Sequence, residues 1–206
     1  TQRVHPDAGT DKYFYDSAGG LVWHTNGNGD TVRYRYHYNQ LTDVLHSRYP
    51  ENDVLYRYGA QGAAANRAGR IMYQEDASGW QVFSYGKLGE VTENIRTFAL
   101  PFESQPYTFR MNFEYDSWNR IQQMTYPDGE KVSYGYNLGG MLNDIKGDKN
   151  GQTYPYVNHI AYNQYELKDS VLYGNGTLAT YEYDNLMRLK RLQSYTGERP
   201  AELMQD

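Results

Sequence analysis

The residues that could do chemistry in this chain recur. Asp16, Asp116 and Asp184 each follow a tyrosine directly. Paired carboxylates of this kind could serve as acid and base, or acid and nucleophile, in glycoside hydrolysis. The three aspartates, however, hold equivalent positions in a repeat, which a turn-forming role requires and a catalytic role does not. A carboxylate after a strand accepts backbone N–H bonds a few residues ahead and so starts a turn. The five histidines, His5, His24, His37, His46 and His159, show no metal-ligand spacing. His37, between Tyr36 and Tyr38, should face away from both. The stretches Asn26-Gly27-Asn28-Gly29-Asp30 and Asp148-Lys149-Asn150-Gly151 faintly suggest calcium loops, but no glutamate closes either one and hairpin turns fit them better. The serines lack a nucleophile-elbow context, and neither a phosphate-binding loop nor a dinucleotide fingerprint occurs. No catalytic, metal-binding or cofactor-binding role is assigned to any residue. Trp23, Trp80 and Trp118 are the candidate ligand contacts: an exposed indole can stack on a sugar, while a covered one merely shields a sheet edge.

Those residues sit on a repeated frame. A tyrosine, a polar turn and an aliphatic residue recur, most plainly at Tyr15-Asp16…Leu21, Tyr115-Asp116…Ile121 and Tyr183-Asp184…Leu189. Unit-opening tyrosines fall at Tyr15, Tyr38, Tyr58, Tyr85, Tyr115, Tyr136, Tyr162 and Tyr183, a mean period of about 24 residues, which suits two strands and two turns. Alternation in Tyr34-Arg35-Tyr36-His37-Tyr38, Tyr134-Gly135-Tyr136 and Tyr181-Glu182-Tyr183 sends the tyrosines of each strand to one face. The dipeptides Asn28-Gly29, Asp128-Gly129, Asn150-Gly151 and Asn175-Gly176 mark hairpins between the units. Gly19, Gly20, Gly139 and Gly140 are expected at left-handed turn positions. Three stretches break the rhythm. Gly59–Gly69 reads as a flexible hairpin tip, Thr97–Tyr107 as a crossover, and Asn143–Pro155 as a long polar loop. The tail from Glu198 carries a short, weak helical pattern. The expected layout is a flank over 1–12, one array of about eight degenerate units over 13–195, and a tail over 196–206.

The bulk composition narrows the functions that fit. Net charge is -5 with dispersed basic residues, which excludes a nucleic-acid footprint. No apolar run could insert in a membrane, and residues 1–20 are polar and glycine-rich rather than leader-like. With no cysteine there is neither disulfide nor thiolate metal site. Leu, Ile, Val and Phe together make only about 17% of the chain, while tyrosine numbers 23, so tyrosine must do much of the burying. Two strands per unit give about sixteen strands, and a sheet on the order of 75 Å wide must curl, split or close. The fold class expected is all-β: tandem hairpins in a curled, spiralling antiparallel sheet. A closed barrel or a sandwich is the alternative.

The motif resembles the RHS family, or YD repeats. The residues carrying the resemblance are Tyr15-Asp16-Ser17-Ala18-Gly19-Gly20-Leu21, Tyr115-Asp116-Ser117-Trp118-Asn119-Arg120-Ile121 and Tyr183-Asp184-Asn185-Leu186-Met187-Arg188-Leu189. Degenerate copies are Tyr85-Gly86-Lys87-Leu88-Gly89-Glu90-Val91 and Tyr136-Asn137-Leu138-Gly139-Gly140-Met141-Leu142. The resemblance implies a secreted or surface-displayed bacterial protein of polymorphic-toxin type, whose repeats form a β shell around a C-terminal effector. Its implied partners are neighbouring repeats or the toxin domain of the parent chain. An Asp-Pro-x-Gly core is missing, so the shell role is implied and the toxic activity is not. The alternative function is a carbohydrate- or cell-surface-binding module using the exposed aromatics.

Overall fold

The computed structural model describes residues 1–196 and the backbone of 203–205. It is all-β and antiparallel, built of tandem hairpins, and the described residues contain no α-helix. The chain groups into two compact units, Thr1–Arg110 and Met111–Asp206.

The first unit holds β1 (Gln2–His5), β2 (Gly9–Tyr15), β3 (Leu21–Thr25), β4 (Thr31–His37), β5 (Gln40–His46), β6 (Val54–Tyr58), β7 (Ile71–Asp76), β8 (Gly79–Tyr85) and β9 (Val91–Phe98). Each strand pairs antiparallel with the next. β10 (Tyr107–Tyr115) begins here and ends in the second unit, which continues with β11 (Ile121–Thr125), β12 (Lys131–Tyr136), β13 (Leu142–Lys149), β14 (Gln152–Tyr162), β15 (Lys168–Tyr173), β16 (Leu178–Tyr183), β17 (Leu189–Tyr195) and β18 (Leu203–Gln205). There too, successive strands pair antiparallel.

One irregularity repeats. The ladder register slips immediately before Tyr15, Tyr36, Tyr58, Tyr85, Tyr115, Tyr136, Tyr162 and Tyr183. Each slip is a β-bulge: the strand after the turn carries one extra residue just beyond the residue that pairs with the tyrosine. The extra residue bends the strand and re-aims its neighbours. The tyrosine is thereby set opposite the first residue of the following strand, as in Tyr15↔Leu21, Tyr85↔Val91, Tyr115↔Ile121, Tyr136↔Leu142 and Tyr183↔Leu189. In the second copy the paired tyrosine is Tyr36, opposite Leu41, and not Tyr38. Tyr38 sits in the turn at φ 52 and is 90% exposed. Adjacent tyrosines of one strand look alike in sequence, so only the register separates them.

Several stretches differ from expectation. Asn143–Pro155 is not a loop. It is most of β13 and the start of β14, joined by Asn150-Gly151 with both φ angles positive, the type I′ geometry of a two-residue hairpin. Its polar residues are compatible with strands because one layer of sheet leaves much of its surface in water. Thr97–Tyr107 is a hairpin connection and not a crossover: the Thr97 and Thr108 hydroxyls meet at 3.0 Å, and the Phe98 and Phe109 rings pack edge-on at 6.0 Å. Gly59–Gly69 folds back onto its own unit, as described below. Leu203–Gln205 is a strand, and the rest of the helical pattern from Glu198 lies outside the described residues.

Burial is thin. The buried apolar residues are Val132, Val157, Ile160, Val171 and Ala179, and none has the bulk of an aromatic ring. Leu142, Ile145, Tyr162, Tyr181 and Leu192 pack half-buried around four of them. Tyr58, Tyr85, Tyr115, Tyr136, Tyr162 and Tyr183 are half-buried, whereas Tyr15 and Tyr36 are exposed. Tyrosine therefore lines and edges the core, while small aliphatics fill it.

Candidate functional site: the joints between repeats

The turn after each tyrosine is built in one way. The Asp16 N–H donates to the Gly20 carbonyl at 2.8 Å, and the Gly19 N–H to the Asp16 carbonyl at 3.2 Å, with Gly19 at φ 85. This is a type I turn closed by one left-handed residue. The carboxylate of Asp16 accepts the Ala18 and Gly20 N–H groups at 2.9 and 2.8 Å. Asp116 accepts those of Trp118 and Arg120 in the same manner, and Asp184 those of Leu186 and Arg188. These amide bonds, helped by the arginine guanidinium, hold the Asp116 and Asp184 carboxyls below the usual carboxylate range. The turn at Asn26 repeats the construction, and its Asp30 is taken up by Arg48 at 3.0 Å. In the Gly86 copy, Glu90 fills the space of the missing aspartate: a Cβ on Gly86 would lie 1.8 Å from its Oε1. Left-handed φ falls at Gly19 and Gly140 but not at Gly20 or Gly139, because only the fourth turn residue must close the turn. The same position is occupied by Asn119, Glu166 and Met187, with φ 59, 62 and 61.

Consecutive repeats are joined by the tyrosine hydroxyl. Tyr58 donates to the Leu41 carbonyl at 3.0 Å and Tyr85 to that of Ile71 at 2.6 Å. In the second unit Tyr136 donates to Ile121 at 2.7 Å, Tyr162 to Leu142 at 2.8 Å and Tyr183 to Lys168 at 2.9 Å. Four of these acceptors, Ile71, Ile121, Leu142 and Lys168, open the preceding repeat's second strand, and Leu41 is the second residue of β5. A half-buried tyrosine needs such a partner, and the bulge leaves the carbonyl in reach. Burial raises the pKa of Tyr58, Tyr85 and Tyr162 above the ordinary phenol value.

The residue just before that carbonyl forms a second tie. The Arg120 guanidinium lies 4.1 Å above the Tyr136 ring and donates to the Gly140 carbonyl in the next turn at 3.1 Å. Arg70 lies 5.6 Å above the Tyr85 ring, close against Gly89. Gln40 reaches the Gly69 carbonyl at 3.1 Å. Cation–π contacts of this sort contribute about 0.5–2 kcal/mol. The arginine is held for its task by its own turn: Arg120 Nε donates to Asp116 at 2.7 Å.

The insertion Gly59–Gly69 adds a third tie in the first unit. Arg67 donates to the Phe83 carbonyl at 2.6 Å and to the Ser84 hydroxyl at 3.0 Å, Asn66 to the Tyr85 carbonyl at 2.9 Å, and the Tyr85 N–H to the Ala65 carbonyl at 3.0 Å. Gly59 is buried beneath it, where a Cβ would lie 2.3 Å from the Arg67 carbonyl oxygen. A glycine-rich run that looked flexible is thus a strut.

The candidate ligand residues are placed as follows. In the first unit Trp23 stacks on Phe14 at 5.7 Å, and Trp80 is half-buried on β8 opposite Thr97. In the second, Trp118 is 68% exposed, but the Arg120 guanidinium lies 4.5 Å over its ring. Trp118 therefore closes a stack of indole, guanidinium and phenol. Trp23 and Trp80 lie on separate strands, β3 and β8, and share no contact. His5 and His24 both face Asp11, at 3.6 and 3.8 Å, and His37 packs edge-on against Tyr38 at 4.6 Å. Among the described residues, no cluster of three His, Cys, Asp or Glu could hold a metal.

The joints define a class: tandem β-hairpins tied to their neighbours by a tyrosine and, at some joints, by an arginine or glutamine. No family model matches the sequence, and no curated protein does. Solved structures do. A chain in the crystal structure of TcdB2-TccC3-Cdc42 is 17% identical with a TM-score of 0.84, covering 100% of this chain and 11% of that one. The crystal structure of TcdB2-TccC3 matches at 16% and 0.83, over 98% and 11%. The Photorhabdus luminescens Tc holotoxin pore carrying TccC3-D651A likewise matches at 16% and 0.83, over 98% and 11%. The fold is that of a stretch of these toxin chains, and the protein spans about a tenth of their length.

Proposed function

We propose that this chain is a non-catalytic structural module: a section of an RHS-type β shell from a secreted or surface-displayed bacterial protein, which encloses or presents a C-terminal effector. The observation that carries the proposal is the match in fold along the whole chain to Tc toxin chains. The joints supply a physical reason. A wall must hold its shape repeat by repeat, and here tyrosine ties link successive hairpins at five joints, with arginine added at two of them. The aspartates of the motif are engaged by turn amides and arginine, leaving them poorly placed for acid–base work. The partners on this reading are flanking repeats and the effector of the parent chain. Electron cryomicroscopy of the polypeptide encoded by the surrounding reading frame tests it. A hollow wall containing these strands, with density inside, is the expected result; a solid particle with both sheet faces in solvent overturns it. Screens of the isolated chain on glycans, nucleic acids and peptides should show no turnover.

A further inference from the structure

Four asparagines in this chain precede a glycine: Asn26, Asn28, Asn150 and Asn175. Each could cyclise, the backbone nitrogen of the glycine attacking the side-chain amide carbon, because glycine places no side chain in the way. Two groups must be free for that: the asparagine side chain and the glycine N–H. At Asn26 the side-chain oxygen accepts the Asn28 and Asp30 N–H groups at 3.0 and 2.9 Å, and Gly27 is wedged against Ala8, whose carbonyl oxygen would lie 1.7 Å from a Cβ. At Asn28 the glycine is held: the Gly29 N–H donates to the Asn26 carbonyl at 3.0 Å. At Asn175 both groups are held, the side chain by the Thr177 N–H at 3.0 Å and the Gly176 N–H by the Tyr173 carbonyl at 3.0 Å. Asn150 differs. It is exposed, and among the described residues no hydrogen bond engages its side chain or the Gly151 N–H. Its two-residue turn has no room for the side-chain bond that restrains Asn26 and Asn175: Lys149 pairs directly with Gln152, so the strands begin at once on either side.

We propose that Asn150 is the asparagine that deamidates first in the folded protein. The Gly151 nitrogen gives up its proton and bonds to the Asn150 side-chain carbon. The bond from that carbon to Nδ2 breaks, and ammonia carries the proton away. Water then opens the resulting succinimide at one of its two carbonyls, leaving aspartate or isoaspartate. One water is consumed and one ammonia released, with nothing oxidised or reduced. Ring closure needs the tip to leave its left-handed conformation, φ 56 at Asn150 and 78 at Gly151, and no side-chain bond resists that. The two products act differently on the second unit. Aspartate keeps the hairpin, since Asp-Gly suits the same turn, and sets a new carboxylate next to Lys149, which pairs with Asp128. Isoaspartate lengthens the main chain by one carbon inside a loop whose length fixes the register, so the tips of β13 and β14 loosen. The inference rests on turn chemistry alone and is independent of the shell reading.

Incubation of the full 206-residue chain in mildly alkaline buffer, followed by peptide mapping by mass spectrometry, tests it. Asn150 should convert about five-fold faster than Asn28, and by a larger factor ahead of Asn26 and Asn175, since each hydrogen bond that must first break slows the reaction by about five-fold. In denaturing urea the four sites should convert at similar rates, because all precede glycine. A protease that cleaves before aspartate separates the products, as isoaspartate resists it. Hydrogen exchange of an Asn150→Asp chain should match wild type through β13 and β14, whereas the isoaspartate-bearing fraction should exchange faster there. Conversion at Asn28 or Asn175 as fast as at Asn150 in the folded chain would overturn the inference. So would a lead of the same size for Asn150 in urea, which would place the cause in the local sequence. Unchanged exchange in the isoaspartate fraction would overturn the loosening of the hairpin.

Discussion

The two units are built of the same hairpins but held by different forces. Thr1–Arg110 buries no apolar side chain; its buried side chains are the polar Ser84 and Thr97. Its ties are hydrogen-bonded and charged: Arg67 on β8, Arg96 on Asp76 at 2.8 Å, and Ser84 on Glu93 at 3.1 Å. Met111–Asp206 instead gathers Val157, Ile160, Val171 and Ala179 into an apolar cluster, across its longest strand, β14, and the next two strands, β15 and β16. One layer of sheet has no second layer to bury it. Stability must then come from filling one face locally or from stitching strands with polar groups; both units are stitched, and the second adds the apolar filling.

That contrast can be broken experimentally. The largest effect is expected from Ile160→Ala, a buried cavity in the apolar cluster, at about 3 kcal/mol. Hydrogen exchange should show it across β14–β16 and leave β7–β9 unchanged. Arg67→Ala removes two side-chain bonds from the strut and should cost about 2 kcal/mol, with faster exchange at 59–70 and 83–85 only. Equal responses of both units to either change would contradict the comparison.

Acid sharpens it. The guanidinium of Arg96 is the main cause holding the Asp76 carboxyl down to about 2, from an ordinary 3.8. A carboxyl depressed by folding stabilises the protein above its unfolded value, and that contribution is lost as pH falls through the folded one. Protection of β7–β9 should therefore drop between about pH 4 and 2, and Asp76→Asn should flatten that slope. Smaller still, Tyr136→Phe deletes the bond to Ile121 and should cost about 1 kcal/mol in chemical denaturation. Last, Met187→Gly relieves a left-handed backbone and should stabilise the second unit by about 0.5 kcal/mol net of chain entropy, read as a small rise in Tm.

Much of this architecture was legible in the residues. Asp16, Asp116 and Asp184 named their turns because a short carboxylate beside consecutive amides has few other uses. Tyrosine alternation named the strands. The joints were not legible. Arg120 and Tyr136 are sixteen positions apart, and nothing in either residue says that one covers the other. Asn143–Pro155 looked like a loop because polarity usually means solvent, and in a one-layer sheet a strand can be largely solvated too. The strut at Gly59–Gly69 was hidden for the opposite reason: small residues signal freedom until Arg67 finds its carbonyl.

Local chemistry, repeated, determined that the protein is a tandem array of antiparallel hairpins, because turn formation and strand alternation act within a few residues. Only the tertiary structure decided which tyrosine opens the second copy, which carbonyl each hydroxyl caps, and where the aliphatics rather than the rings form the core. Those choices depend on register, and a one-residue bulge changes register without leaving a mark on composition or period.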